Sequence, residues 1–354
     1  MENIFFGENS LYYDILTIFM RVVFFIFLVL AYLILTLTIA YFTLFERKTL
    51  ASMQRRSGPN VTGFSGLLQP IADAAKLIMK ETLRPNLSDR GAFFIAPIFT
   101  FGVALLAWLV LPVDTAGVIA SINVGMLYLI ATSSISVYGI IIAGWASNSR
   151  YALLGALRSA AQMLSYELSM GFILLSIFLV TGSLNPSSLA LSQLTNTWYV
   201  HLMWPAMLLF IVCALAETSR PPFDLPEAES ELVSGYHVEY SSATFALFFL
   251  AEYCHILTMS AIMSIVFFGG SIPFYPAVAP HPFWFAVKLI WFVYFFIWIR
   301  ASVPRYRYDQ LIRLGWKYVL PLSILFFVFI SVLFFVFDFF PPSGGYTSST
   351  SFFR

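Results

Sequence analysis

A chain of 354 residues that is 60% hydrophobic and only 10% charged, with a formal net charge of +1 and 38 Phe, has a mean hydropathy of +0.84. That is more apolar surface than one soluble core of this length can enclose, so a soluble globular domain is excluded and an integral membrane protein remains. Alternating apolar strands are absent, which makes the spans helices rather than the staves of a barrel.

Eight segments reach the roughly 20 apolar residues that a crossing helix needs: 15–44, 91–111, 115–146, 160–182, 198–216, 241–270, 282–299 and 318–337. The expected fold class is all-α, a single polytopic membrane domain over 1–354 with eight transmembrane helices. An even number of crossings puts both termini on one side, and the charges sort to match. The loops after the first, third, fifth and seventh segments hold sixteen of the nineteen Lys and Arg, so by the positive-inside rule they face the cytoplasm or matrix. The first segment has no short apolar core followed by a small-residue cleavage site and reads as a retained span.

It ends at Phe45-Glu46-Arg47-Lys48, a switch to charge that marks the membrane surface, and a long inside loop follows over 45–90. Residues 53–66 are rich in Gly, Pro and Asn and carry the pair Arg55-Arg56, a turn-rich basic loop. Over 66–81, Leu67, Ile71, Ala75 and Ile78 share one helical face and Gln69, Asp73, Lys76 and Lys80 another. This is the spacing of an amphipathic interfacial helix that lies flat on the membrane. The inside loop 147–159 leads into the fourth span, where Glu167 lies about 13 Å along the helix from Arg158. An acid at that depth is expensive, which makes function the default reading. Glu252, eleven residues into the sixth span, sits near the middle of the hydrocarbon on the same argument. Cys213 and Cys254 fall inside predicted helices without Cys-x-x-Cys spacing and read as packing residues. Arg21 and Lys288, close to outer helix ends, are expected to snorkel to the interface. The last inside loop, 300–317, is basic through Arg300, Arg305, Arg307, Arg313 and Lys317, a set of cations for which the acidic stretch 217–240 on the same side is a natural partner. The tail 341–354 is expected to be disordered.

Residues 217–240, ETSRPPFDLPEAESELVSGYHVEY, concentrate six of the eighteen acids around a single Arg220. Asp224 followed three residues later by Glu227, with Pro226 between them, fits a helix start. On that helix Asp224, Glu227 and Glu231 share a face and Glu229 does not. Acids crowded at a membrane boundary repel one another, so some hold their protons more tightly and can exchange them near neutral pH. Glu227, Glu231, Glu217, Glu167 and Glu252 then outline a graded proton path from the inside surface to the bilayer centre, while an acidic loop that docks onto a basic partner protein is the alternative. His237, beside Glu239, reads as a satisfied loop histidine or as a titrating group. There is no GxGxxG after a strand, no P-loop and no paired-histidine haem pattern, so the chain by itself has no evident means of carrying electrons.

Long blocks in one order resemble the membrane subunit 1 family of proton-pumping NADH:quinone oxidoreductase, respiratory complex I. They are Glu46-Arg47-Lys48, Gly58-Pro59-Asn60, GLLQPIADAAKL from Gly66, GWASNSRYALLGALRSAAQMLSYE from Gly144, the acidic stretch, LAEY from Leu250 and PRYRYDQLIRLGWK from Pro304. The resemblance implies that the chain forms the membrane side of a ubiquinone tunnel, with Arg47, Arg55, Asp73 and Phe223 along the quinone path. It also implies that Glu167, Glu217, Asp224, Glu227, Glu229, Glu231 and Glu252 couple quinone reduction to proton translocation. Ubiquinone is then a substrate. Flavin mononucleotide and iron-sulfur clusters belong to partner subunits, and this chain binds no cofactor or metal of its own. The partners implied are the peripheral-arm subunits at the quinone site, the small and antiporter-like membrane subunits and membrane lipid, with no nucleic acid. Residues commonly different in the family stand at Ser219, Pro221, His237, Cys254 and His255, and none removes a carboxylate of the chain. Phe-rich composition and positive inner loops point to a mitochondrial inner membrane with loops toward the matrix, a bacterial inner membrane being the alternative. A membrane-bound hydrogenase subunit and a self-sufficient ion transporter are the other functions the residues admit.

Overall fold

The computed structural model describes residues 5–114, 117–195, 198–224, 235–273 and 279–337. Twelve α-helices follow one another along these residues: α1 Phe5–Met53, α2 Gln69–Met79, α3 Arg90–Leu106, α4 Gly125–Ala146, α5 Arg150–Thr181, α6 Pro186–Thr195, α7 Tyr199–Leu202, α8 Trp204–Glu217, α9 Ser242–Phe268, α10 Pro282–Ser302, α11 Tyr308–Leu314 and α12 Leu320–Val336. A π-helical turn, Gly315–Val319, joins α11 to α12, and the described residues contain no strand. Among them seven helices are long and apolar enough to cross a membrane. The fifth expected span is instead a short apolar helix, α8, of 14 residues, preceded by the four-residue α7. At 1.5 Å per residue α8 is about 21 Å long, short of the ~30 Å hydrocarbon core.

Several boundaries differ from those expected. Residues 147–159 are not a loop: α5 starts at Arg150 and runs 32 residues. Its first three turns bury Ala152, Gly155, Ala156, Ser159 and Ala160, a stripe of small side chains that lets neighbouring backbone come close. The charges at 150 and 158 hide that stripe from a hydropathy reading. Helix α1 runs two turns past the charge switch to Met53, because Arg47 and Lys48 are good helix formers and nothing in 46–53 breaks the helix. The basic loop 300–317 holds α11 and most of the π-helical turn, and α6 occupies a connection where no helix was expected. The tail 341–354 lies outside the described residues.

Helices α5 and α9 form the centre. The former packs on α4, α8 and α12, the latter on α3, α10 and α1. Tyr166, Ile173, Ile177, Phe210, Phe267 and Phe292 are fully buried in one core cluster to which α5, α8, α9 and α10 contribute. Cys213 and Cys254 are buried free thiols in this core. Where α5 passes the short 3₁₀ turn Gly235–His237 the approach is so close that a Cβ on Gly155 would lie 2.7 Å from Gly235 Cα. Gly155→Ala is therefore expected to push that turn off α5 and to cost about 1–3 kcal/mol, read as a lower melting temperature of the purified protein and faster amide exchange at 235–240.

Lys288 does not snorkel. It is 2% exposed, and its Nζ donates to Phe268 O at 2.6 Å, to Gly270 O at 2.9 Å and to Ile272 O. The ammonium turns back on carbonyls that the C-terminus of α9 leaves without helical partners, where a cation also meets the negative end of the helix dipole. Lys288→Met is expected to fray the C-terminal end of α9, at about 1–3 kcal/mol for the lost charged hydrogen bonds, and hydrogen exchange at 266–272 reads it.

Candidate functional site

The site is built where α8 ends. Glu217, its last residue, is 4% exposed, and the segment 218–224 that follows is folded into the bundle instead of lying on the surface. Gln162 of α5 holds both ends of that segment, its Nε2 donating to Ala216 O at 2.7 Å and to Phe223 O at 2.8 Å. The backbone N–H of Tyr306 donates to Pro222 O, and Arg305 Nη2 pairs with Asp224 Oδ2 at 2.7 Å. A polar backbone buried in this way needs such partners.

Arg220 turns away from the acids of its own stretch. Its Nη1 lies 2.7 Å from Glu46 Oε1 near the C-terminal end of α1, its Nε 2.7 Å from Glu252 Oε1 of α9, and its guanidinium sits 4.8 Å over the Tyr253 ring. Arg300 of α10 also pairs with Glu46. Burial alone would lower the Arg220 pKa, but Glu252 and then Glu46 outweigh it and hold the group above its ordinary value. Two guanidinium groups and two carboxylates from three helices and a loop thus form one neutral buried network. Sequence reasoning placed Glu46 only as a surface marker. Its partner Arg220 lies 174 residues away, and no helical spacing links them.

Glu167 on α5 is 8% exposed and accepts from Ser133 Oγ at 3.2 Å and from Ser134 Oγ, both on α4. Glu217 and Glu252 come together with His237 and His255 around a cavity of about 50 Å³, with Thr100, Ser136 and Ser219 supplying hydroxyls. A polar cavity of this size has room for water and partners for it. His237, expected to be a satisfied loop residue, is 5% exposed with Nδ1 lacking a hydrogen-bond partner among the described residues. Its ring is packed by Tyr236, Phe248 and Phe249. Burial pushes its pKa down to about 3, so the imidazole is neutral near pH 7. Asp224 stands apart from this cavity, on Arg305. Glu227, Glu229 and Glu231, with the helix expected over them, lie outside the described residues.

Of the residues expected along a quinone path, two meet. Arg47 Nη1 pairs with Asp73 Oδ2 at 2.6 Å, and Gln69 Nε2 donates to Asp73 Oδ1 at 2.9 Å, which ties α2 to the C-terminal end of α1. Ile71 and Ile78 of α2 are exposed, so its apolar face is turned outward. Arg55 is exposed, in the left-handed region at φ 55°, and joins no ion pair among the described residues. Phe223 does not face an open space: it is 4% exposed, between Tyr166 and Tyr306. A second cavity of about 700 Å³, which sequence reasoning did not foresee, opens between α1, α10 and the connection that follows α3, lined by Tyr32, Phe42, Trp108, Phe285 and Val293.

Residues 25–331 match the family described as NADH dehydrogenase. The chain is 53% identical over 313 residues to an NADH-quinone oxidoreductase subunit of Paramagnetospirillum magneticum, covering 88% of this chain and 92% of that protein. It is 51% identical over 317 residues to NADH-ubiquinone oxidoreductase chain 1 of Cyanidium caldarium, with 88% and 92% covered. The corresponding protein of Chondrus crispus is 50% identical over 311 residues, with 87% and 95% covered.

Proposed function

Since the chain belongs to the NADH dehydrogenase family and is therefore a membrane subunit of the NADH-quinone oxidoreductase complex, we propose that it forms the membrane side of the quinone site and carries the carboxylates that couple quinone reduction to proton translocation. In this reading α8 is the fifth of eight crossings, completed by α7 and by local thinning of the bilayer, as short spans require. Helix α2 lies flat at the inner interface with Ile71 and Ile78 toward lipid. The inner loops face the matrix, or the cytoplasm of a bacterium. Quinone approaches between α1 and α2, past the Arg47–Asp73 pair, from the side where the peripheral arm docks.

The observation that carries the proposal is the convergence of Glu217 and Glu252 on one buried polar cavity. Two acids from different helices beside a water-sized space have the makings of a proton path. A purely structural pair would bury its charges against cations, as Glu46 does against Arg220. Glu252 has a foot in each camp, since it also pairs with Arg220, and this links the cavity to the loop that begins at Glu217. The acidic stretch from Asp224 through Glu227, Glu229 and Glu231 extends the path toward the quinone side, and Glu167 toward the membrane interior and the antiporter-like subunits. Electrons arrive through flavin and iron-sulfur clusters on partner subunits, and quinone is the substrate they reduce.

The test is photolabelling of the intact complex with a quinone carrying a photoreactive group. Label is expected on 53–80 of this chain, displaced by unlabelled quinone. Undisplaced label, or none on this chain, would remove the quinone half of the proposal, while neutral substitution of Glu217 and Glu167, taken up in the Discussion, tests the proton half.

A further inference from the structure

We propose that His237 is a proton-relay residue, joined to Glu217 by water held in the cavity between α8, α9 and the turn Gly235–His237. Three buried polar atoms have no hydrogen-bond partner among the described residues and belong to residues that line this one cavity: Glu217 Oε2, Ser219 Oγ and His237 Nδ1. Buried polar groups are satisfied in native proteins, and where protein atoms do not serve, ordered water does. A cavity of about 50 Å³ exceeds the volume that a single water requires. One acid, one hydroxyl and one imidazole nitrogen then share the same solvent, which is a hydrogen-bonded route and not merely a void.

The imidazole suits the task because one of its ring nitrogens accepts a proton while the other releases one. The transfer runs from the Glu217 carboxyl to water and from that water to Nδ1. It leaves a carboxylate and a short-lived imidazolium, with the water restored; burial keeps His237 neutral at rest, so the proton is passed on and not stored there. Either charge alone is costly in a low-dielectric interior, but a proton moved between them creates an ion pair with no net charge. Across the cavity the other titratable groups are Glu252 and His255 of α9 and Tyr236 of the turn itself, and Glu167 of α5 is close enough to Glu217 to interact with it electrostatically, while the side chains with which α3, α4 and α5 line the cavity are hydroxyl or apolar. The Gly235–His237 turn follows the acidic residues Glu227, Glu229 and Glu231 in the chain.

This proposal rests on the coupling role assigned above, and its test separates the two. In the intact complex, a density map sharp enough to place water is expected to show one within hydrogen-bond reach of both Glu217 Oε2 and His237 Nδ1; a dry cavity overturns the relay. His237→Gln, whose amide fills the site but does not shuttle a proton, is expected to lower coupled turnover at least about tenfold and to change the pH profile of the rate. The double variant with Glu217→Gln is expected to be no slower than either single one, since two links of one chain do not add. A wild-type rate and pH profile in His237→Gln, alongside an impaired Glu217→Gln, overturns the relay and leaves the coupling role standing. Wild-type activity in both Glu217→Gln and Glu167→Gln overturns the coupling role itself. If His237→Gln does not assemble, the water density in the unaltered complex decides alone.

Discussion

Arg220→Met is expected to be the most destabilising single change in this chain, costing about 3–5 kcal/mol. Arg220 is 7% exposed, Glu46 4% and Glu252 15%, so methionine would leave two carboxylates facing each other away from water. Arg300 reaches Glu46 and softens that side, being about a third exposed itself, but Glu252 loses the guanidinium it is paired with. Removing one member of a buried charge network is far worse than removing all of it, because the cost is that of the uncompensated charge. Arg220→Met alone is thus expected to prevent accumulation of the assembled complex on native gels. The triple variant with Glu46→Gln and Glu252→Gln recovers a measurable part. Arg220→Lys falls between, since an ammonium does not reproduce a fork that serves two carboxylates and stacks on Tyr253. An assembled Arg220→Met complex with the wild-type melting temperature would show that the network carries no structural weight.

Glu217→Gln and Glu167→Gln are expected to act in the opposite way, sparing assembly and removing function. Glutamine preserves shape and hydrogen-bonding capacity at both positions. Ser133 and Ser134 still find an acceptor at residue 167, and residue 217 stays within the cavity it shares with His237. What the amide does not do is take up and release a proton. Quinone reductase activity and proton translocation, measured on the same membranes, are expected to fall together by about a hundredfold, the low end of what a positioned proton-transfer group contributes. Normal coupled activity in both variants would remove the carboxylate path. Loss of translocation with quinone reduction intact would place these acids downstream of the redox step.

The two variants read different parts of one structure, and the contrast follows from what each acid touches. Glu46 and Glu252 are held by arginine, and their charge is needed to keep the bundle together. Glu167 sits among hydroxyls and Glu217 beside a water-sized cavity, where a neutral side chain is tolerated structurally. Asp224, on a partly solvated Arg305, is intermediate, and so is the Arg47–Asp73 pair, whose exposure limits it to under about 1 kcal/mol.

Much was legible in the sequence because the membrane makes composition decisive. In hydrocarbon the backbone must satisfy itself within each span, so a run of 20 apolar residues in this setting has little choice but to be a helix. The helices containing Glu167 and Glu252, the amphipathic pattern now seen as α2, and the apolar runs of α9 and α10 were all open to that argument. So was the expectation that the basic loop meets the acidic stretch, realised by Arg305 on Asp224, whereas Arg300, inside α10, goes to Glu46 instead. Small side chains hid the early start of α5, since Ala, Gly and Ser carry little hydropathy and their effect is closeness of approach, which needs a partner to be seen. Lys288 escapes the argument because distance along the helix to the interface says nothing about carbonyls folding back over it from α9.

By itself, then, the sequence determined the class, the number of long apolar helices to within one, which connections carry the positive charge and which residue types were out of place in oil. Only the tertiary structure decided which of those residues meet. It joined Glu46 to Arg220 across 174 positions, drew Glu217, Glu252 and His237 around one cavity and set Asp224 apart on Arg305. The physical reason is that hydrophobic burial depends on local composition, whereas an ion pair or a shared water depends on ångström distances between helices whose packing no local pattern encodes.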